Sequence, residues 1–340
     1  MSIKKKEKKR IFRLIALDST LVYILAFLFV YFVYQFITAF IAGQYFIRVI
    51  LFYNEIKFLT PDNSRFWYSD SALTIFAAGP LISIFMSFVF IMLYRRFSNT
   101  EGILKLFFLW GALHFVNRVI GSFAVGSIFL LYGSNLIIDW LYLGMEIKIL
   151  VVVAAIVVLL IIGNYSVFPM ITSANSFTLI NSKNRARFIK NQIFIPWLLG
   201  SLILMVIYLP KIPVHEILMN VSMLILLLPA YFRFDSIMIP NVEDDPPRHN
   251  FSWPFISFFV IFIALFRTIL GKGIRFGTET ENTTGLYVIL IIIVIMILTL
   301  SYIGIRNINK RRKQVYNMII SNLQDEDIIE LKDDDSKKQQ

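Results

Sequence analysis

The chain has 340 residues, 57% of them hydrophobic, 16% aromatic and 16% charged, with a net charge of +11 and a mean hydropathy of +0.70. Soluble domains are nearer half apolar and a quarter charged, so this composition excludes an ordinary soluble fold, and the lack of cysteine excludes disulfides and thiolate metal sites. The positive charge does not indicate nucleic acid: Lys4, Lys5, Lys6, Lys8, Lys9, Arg10 and Arg13 precede the first apolar run and Arg306–Lys313 follows the last, where cations set topology and meet anionic headgroups.

Taken in chain order, residues 1–18 form a basic N-terminal segment, and the apolar run that follows is too long for a signal-peptide core, so it reads as a retained first helix. Apolar stretches long enough to span a bilayer are expected near 19–43, 71–94, 103–132, 136–163, 193–209, 214–232, 252–270 and 286–305. With the N-terminus inside, the basic groups at Arg95-Arg96, at Lys183–Lys190 and at Arg306–Lys313 all fall on the cytoplasmic side. The expectation is an all-α polytopic membrane protein of about eight transmembrane helices with both termini cytoplasmic. Heavy use of Ile, Phe, Lys and Asn suggests an AT-rich bacterial genome, hence a bacterial inner membrane. The rings of Phe66, Trp67, Tyr68, Trp140, Tyr142, Trp197 and Trp253 stand at span ends, as an interfacial belt would.

Three segments are not simple spans. Residues 44–60 are β-branched and aromatic around Asn54-Glu55, which predicts a small β-hairpin after the first helix. Residues 164–192 are polar with a basic end, a cytoplasmic loop or surface helix. The tail, 306–340, carries an acidic run at 325–335 whose composition is that of a disordered segment.

Polar groups at membrane depth are costly and mark candidate sites. Tyr34, Gln35 and Thr38 lie on the first span, with Tyr34 and Thr38 one turn apart. His114, Asn117 and Arg118 share a face of the third. A lone mid-span cation costs about 2.5–3.5 kcal/mol on insertion scales, so Arg118 needs a partner or a water-filled cavity, and Asp139 and Glu146 are the candidate counter-ions. Asp139, Glu146 and Lys148 also suit an outer interface, with Lys148 snorkelling. No helical His-Glu-x-x-His, Gly-x-Ser-x-Gly, Walker loop or Gly-x-Gly-x-x-Gly occurs, so no catalytic residue, metal ligand or cofactor is assigned.

One run is more specific. The second span carries Ala77-Ala78-Gly79-Pro80-Leu81, after a first span with Tyr34-Gln35-Phe36-Ile37-Thr38-Ala39 and the hairpin segment, and before Asn117 on the third. This order resembles the core of the site-2 protease family of intramembrane zinc proteases over residues 19–163. The resemblance implies a four-helix membrane core, with spans in 193–305 appended. It also places Tyr34, Gln35 and Thr38 where that family has two histidines and a glutamate, so zinc and catalysis are not expected. The implied function is a non-catalytic protein that binds or regulates another membrane protein, with the lipid bilayer as its medium and no nucleic acid. Two alternatives stay open: a small-solute transporter or channel using the Arg118 cluster, and a membrane-embedded enzyme acting on lipid through His114 with Asp139 or Glu146.

Overall fold

A computed structural model describes residues 5–97, 103–129, 132–174, 177–237 and 253–277. The expected span at 286–305, the acidic tail and the loop containing His249 lie outside these residues. Six described helices are long and apolar enough to cross a membrane: Lys8–Gln44, Ser69–Arg96, Ile103–Phe129, Met145–Thr172, Arg185–Tyr208 and Val214–Arg233, with a shorter apolar helix at Phe255–Gly271. These are compatible with a multi-pass membrane protein.

Helix α1 runs over Lys5–Gln44. No proline interrupts it and its only glycine is Gly43, so it continues back through the basic segment that precedes the expected span. With Ile103–Phe129 it is one of the two most buried spans, at 67% of its apolar window against 72%, and residues Val22–Leu28 are almost fully enclosed. A bilayer offers apolar solvent on every side, so what selects the interior helix is the polar and aromatic content it must shelter.

The hairpin forms as expected, with β1 at Val49–Leu51 and β2 at Ile56–Phe58, antiparallel in the register Val49↔Phe58. The turn between them is closed by the Phe52 amide donating to the Glu55 carbonyl at 2.8 Å. Helix α2, Ser69–Arg96, starts where Ser71 Oγ accepts from the Tyr68 amide at 3.0 Å, with Asp70 in its first turn and Arg95 and Arg96 in its last. Both charge placements favour the helix dipole.

The third span comprises α3, Ile103–Val116, a π-helical turn at Asn117–Gly121, and α4, Ser122–Phe129. The fourth differs from expectation. Residues 136–163 are divided between a short helix α5, Tyr132–Trp140, and a long helix α6, Met145–Thr172. The break follows from Tyr142, whose φ of 54° leaves the right-handed region, and from Gly144, extended at φ −68° and ψ 172°. The helix therefore reaches into the expected 164–192 loop, and only 17% of its apolar window is buried.

The rest of that loop holds two short helices, α7 at Phe177–Ile180 and α8 at Arg185–Ile189. A second π-helical turn, Lys190–Phe194, leads into α9, Ile195–Tyr208. Helices α10, Val214–Arg233, and α11, Trp253–Gly271, follow. Strand β3, Ile274–Phe276, then pairs antiparallel with β1 in the register Val49↔Phe276, giving the order β2-β1-β3. The sequence pattern around Ile274–Phe276 does not predict this strand.

Contacts divide the loops between two ends of the bundle. At one end Tyr94 donates to the Pro169 carbonyl at 2.7 Å, Lys105 to the Thr172 carbonyl at 2.8 Å and Ser19 to the Gln192 carbonyl at 2.6 Å. At the other, Tyr53 and Asn54 of the hairpin donate to the carbonyls of Leu209 and Lys211, each at 3.1 Å.

Candidate functional site

The polar centre is assembled from α1, the π-helical turn and α10. Tyr23, Phe27, Tyr31 and Tyr34 follow one another at intervals of three or four along α1, which puts them on one face. Arg118 projects from the π-helical turn toward that face. Its carbon Cζ lies 5.3 Å from the Tyr34 ring centroid, 5.4 Å from that of Tyr31 and 5.9 Å from that of Phe27. Each ring presents a negative face to the cation.

The counter-ion is Glu216, in the first turn of α10. Arg118 donates from Nη1 to Oε2 at 2.9 Å and from Nη2 to Oε1 at 2.8 Å, and both residues are buried, at 3% and 1% exposure. The two parallel bonds match the guanidinium fork to the carboxylate. His215 Nε2 lies 3.4 Å from Glu216 Oε1. This corrects the expected pairing with Asp139 or Glu146. Asp139 accepts from Asn135 at 2.7 Å and from Lys148 at 2.6 Å, with 45% of its side chain exposed. Glu146 is exposed in the first turn of α6, where a carboxylate suits the helix dipole. The break at 141–144 holds both at the bundle's end, out of contact with Arg118.

Two asparagines extend the network. Asn117 donates to the Met219 carbonyl at 2.8 Å and accepts from Ser222 at 2.9 Å. A side chain at Gly121 would put a Cβ 2.5 Å from both Asn117 Oδ1 and Ser222 Oγ, so glycine keeps this bond open. Asn220 donates to the Glu216 carbonyl at 2.8 Å and accepts from Tyr23 at 2.7 Å and Ser201 at 3.1 Å, while its carbonyl accepts from Trp197 at 2.8 Å. These bonds link α1, α9 and α10 away from water, where leaving a partner unpaired would cost about 1–3 kcal/mol.

His114, one turn before Arg118, packs edge-on against Tyr23 and Phe27 with centroids 4.6 Å and 5.4 Å away. Its Nε2 has no partner among the described residues.

The first-span candidates are engaged in packing. The Tyr34 ring lies between Arg118 and Gly79, where an added Cβ would stand 2.6 Å from the ring. Thr38 donates to the Tyr34 carbonyl of its own helix at 3.0 Å, and Gln35 is 1% exposed. Pro80 is buried beside Gly79 on α2. Tyr34, Gly79, His114, Asn117 and Arg118 therefore share one region. Among the described residues, no group of three or more His, Cys, Asp or Glu could hold a metal ion.

Sequence reasoning missed Glu216, Asn220, Ser222 and Tyr23. Glu216 is the only acidic residue in the apolar stretch 214–232, with Asn220 one turn further on, and that spacing on an otherwise apolar helix was the available signal. Compared with known proteins, the chain matches no family model, no curated protein and no solved structure at a significant level.

Proposed function

We propose that this chain is a non-catalytic multi-pass membrane protein that binds or regulates another membrane protein, on a core related in plan to site-2 proteases. The observation that carries the reading is the position of Tyr34. Its ring fills the space between Arg118 and Gly79, at the place where the resemblance expects a metal ligand. With Thr38 turned onto its own helix and Arg118 neutralised by Glu216, the centre is occupied by packing.

The bundle end bearing Lys9, Arg10, Arg13, Arg95, Arg96, Lys183, Arg187 and Lys190 faces the cytoplasm in this reading, following the distribution of basic residues. A solute pathway past Arg118 finds little support, since the cavity beside it measures about 10 Å³. A lipid enzyme built on His114 with Asp139 or Glu146 would need groups that do not meet.

The test is photo-crosslinking in native membranes from single positions on the exposed face of α6, such as Val153 and Val157. A discrete protein adduct at particular positions is expected. Adducts to lipid alone at every position would overturn the partner reading, and stoichiometric zinc lost on His114 replacement would overturn the non-catalytic one.

A further inference from the structure

Helix α1 is longer than a bilayer requires. Its 40 residues rise about 60 Å at roughly 1.5 Å each, against a hydrocarbon core of about 30 Å. Helix α2 also borders the hairpin, and the two are level there: Tyr34, ten residues before Gln44, meets Gly79, ten residues after Ser69. Because α2 has only 28 residues, α1 projects about 18 Å further at the opposite end. The projecting part is packed. Ile11, Phe12 and Ile15 are buried, and so are Phe188, Ile189 and Ile193 of α8 and the second π-helical turn, which lies against α1.

That packing decides which side chains are left outside. On α1 the buried residues occupy one side of the helix, and the exposed Lys9, Arg10 and Arg13 occupy the other. Lys183 before α8, Arg187 on it and Lys190 just after it are exposed too. The two groups meet where Arg187 Cζ lies 5.4 Å from the Phe12 ring centroid. Among the described residues none of these six cations belongs to an ion pair. Like charges gathered on one surface repel, and an anion that reaches all of them relieves this.

We propose that this basic surface is the docking site for the chain's own acidic segment, residues 325–335. The segment carries seven carboxylates against one lysine, with Ile328, Ile329 and Leu331 between them. Its side of the membrane follows from the chain order: β3 lies in the sheet at the hairpin end, and the apolar run 286–305 has the length of one crossing back. The linker, residues 306–324, has a root-mean-square span of about 24 Å if flexible. A short tether of this kind holds its load at an effective concentration on the order of millimolar. Lipid headgroups are the rival anion, but α1 carries Lys9 and Arg10 past the level at which α2 ends in Arg95 and Arg96. Docked, the segment covers the cluster; released, it bares a cationic surface at this end of the bundle. This inference is independent of the partner-binding reading above.

The chain has no cysteine, so Ala186→Cys on the exposed side of α8 and Ile329→Cys place two spin labels on the full chain in phosphatidylcholine nanodiscs. A short, narrow distance distribution is expected at low ionic strength. It broadens and lengthens at about 1 M salt, where the Debye length falls to about 3 Å. Arg187→Glu with Lys190→Glu is expected to abolish the short distance, and adding Asp333→Lys, Asp334→Lys and Asp335→Lys to restore it. A broad distribution at every salt concentration overturns the proposal. So does a short distance untouched by the Arg187 and Lys190 reversals, which puts the segment on the basic run Arg306–Lys313 instead. Loss of the short distance when phosphatidylglycerol replaces part of the lipid gives the cluster to anionic headgroups and also overturns it. The salt comparison needs no charge variant, so it decides even where the reversals do not fold.

Discussion

Arg118 and Glu216 meet through two parallel hydrogen bonds across 98 residues of chain, and neither reaches solvent. Withdrawing two ions from water costs several kcal/mol each, and close bidentate geometry with further hydrogen bonds is what offsets it. In this core the remaining faces of the guanidinium are covered by Phe27, Tyr31 and Tyr34. The pair joins the π-helical turn to α10, two segments that hydrophobicity alone could not hold together within lipid.

Breaking that pair from one side strands a buried charge. Glu216→Gln is expected to destabilise the protein by about 3–5 kcal/mol. The double variant Arg118→Met with Glu216→Leu is expected to cost less than the Glu216 change alone. Thermal unfolding in detergent of Arg118→Met, Glu216→Leu and the double variant measures this coupling. Additive losses would show that the two side chains do not depend on each other.

Gly163 marks a contact between α6 and α10 that cannot yield. A Cβ there would stand 2.1 Å from the Leu226 carbonyl oxygen, and a main-chain atom cannot swing aside as a side chain can. Gly163→Ala is therefore expected to lower Tm by more than Gly144→Ala, where the nearest atom is the end of the Glu146 side chain at 3.0 Å. Equal effects would argue against close packing of these helices.

Asn220 is hydrogen-bonded to Tyr23, Ser201 and Glu216 through its side chain. Asn220→Leu removes all three bonds at once and leaves the Tyr23 hydroxyl buried, so a loss of about 1–3 kcal/mol is expected. Tyr23→Phe in the Asn220→Leu background removes a hydroxyl left with only its 3.3 Å contact to Ser201 and is expected to recover part of it. A double-mutant cycle on Tm checks the sign.

The absence of cysteine makes the β1–β3 pairing directly testable. Ile50 and Arg275 are register partners, and cysteines at these two positions are expected to form a disulfide under mild oxidation. A control pair one residue out of register, Ile50 with Ile274, is expected to cross-link far less, because a one-residue slip sends the side chains to opposite faces. Equal yields would refute the register.

Much of the bundle was legible because spanning helices announce themselves by length and apolarity, and five of the six long apolar helices among the described residues stand close to where hydropathy put them. The hairpin was legible from Asn54-Glu55 between β-branched and aromatic residues. The fourth span was displaced because apolar content continues through 136–163, while the break depends on the backbone of Tyr142 and on Gly144. Strand β3 has three residues, Ile-Arg-Phe, too few to show a period. The importance of Arg118 followed from the cost of a charge at depth; the identity of its partner did not, because Asp139 is nearer in sequence and Glu216 is nearer in space.

The three-stranded sheet has a consequence for how the protein is made. During synthesis β1 finds β2 at once, since the hairpin turn delivers it. The opposite edge of β1 stays open until β3 emerges, after every helix from α2 to α11 has been translated. An open strand edge invites pairing with a foreign strand, and β3 covers that edge of β1. The last described strand joins the end of α11 to the sheet that follows α1, and a chain that stops short of Ile274 lacks the strand that pairs with this edge of β1.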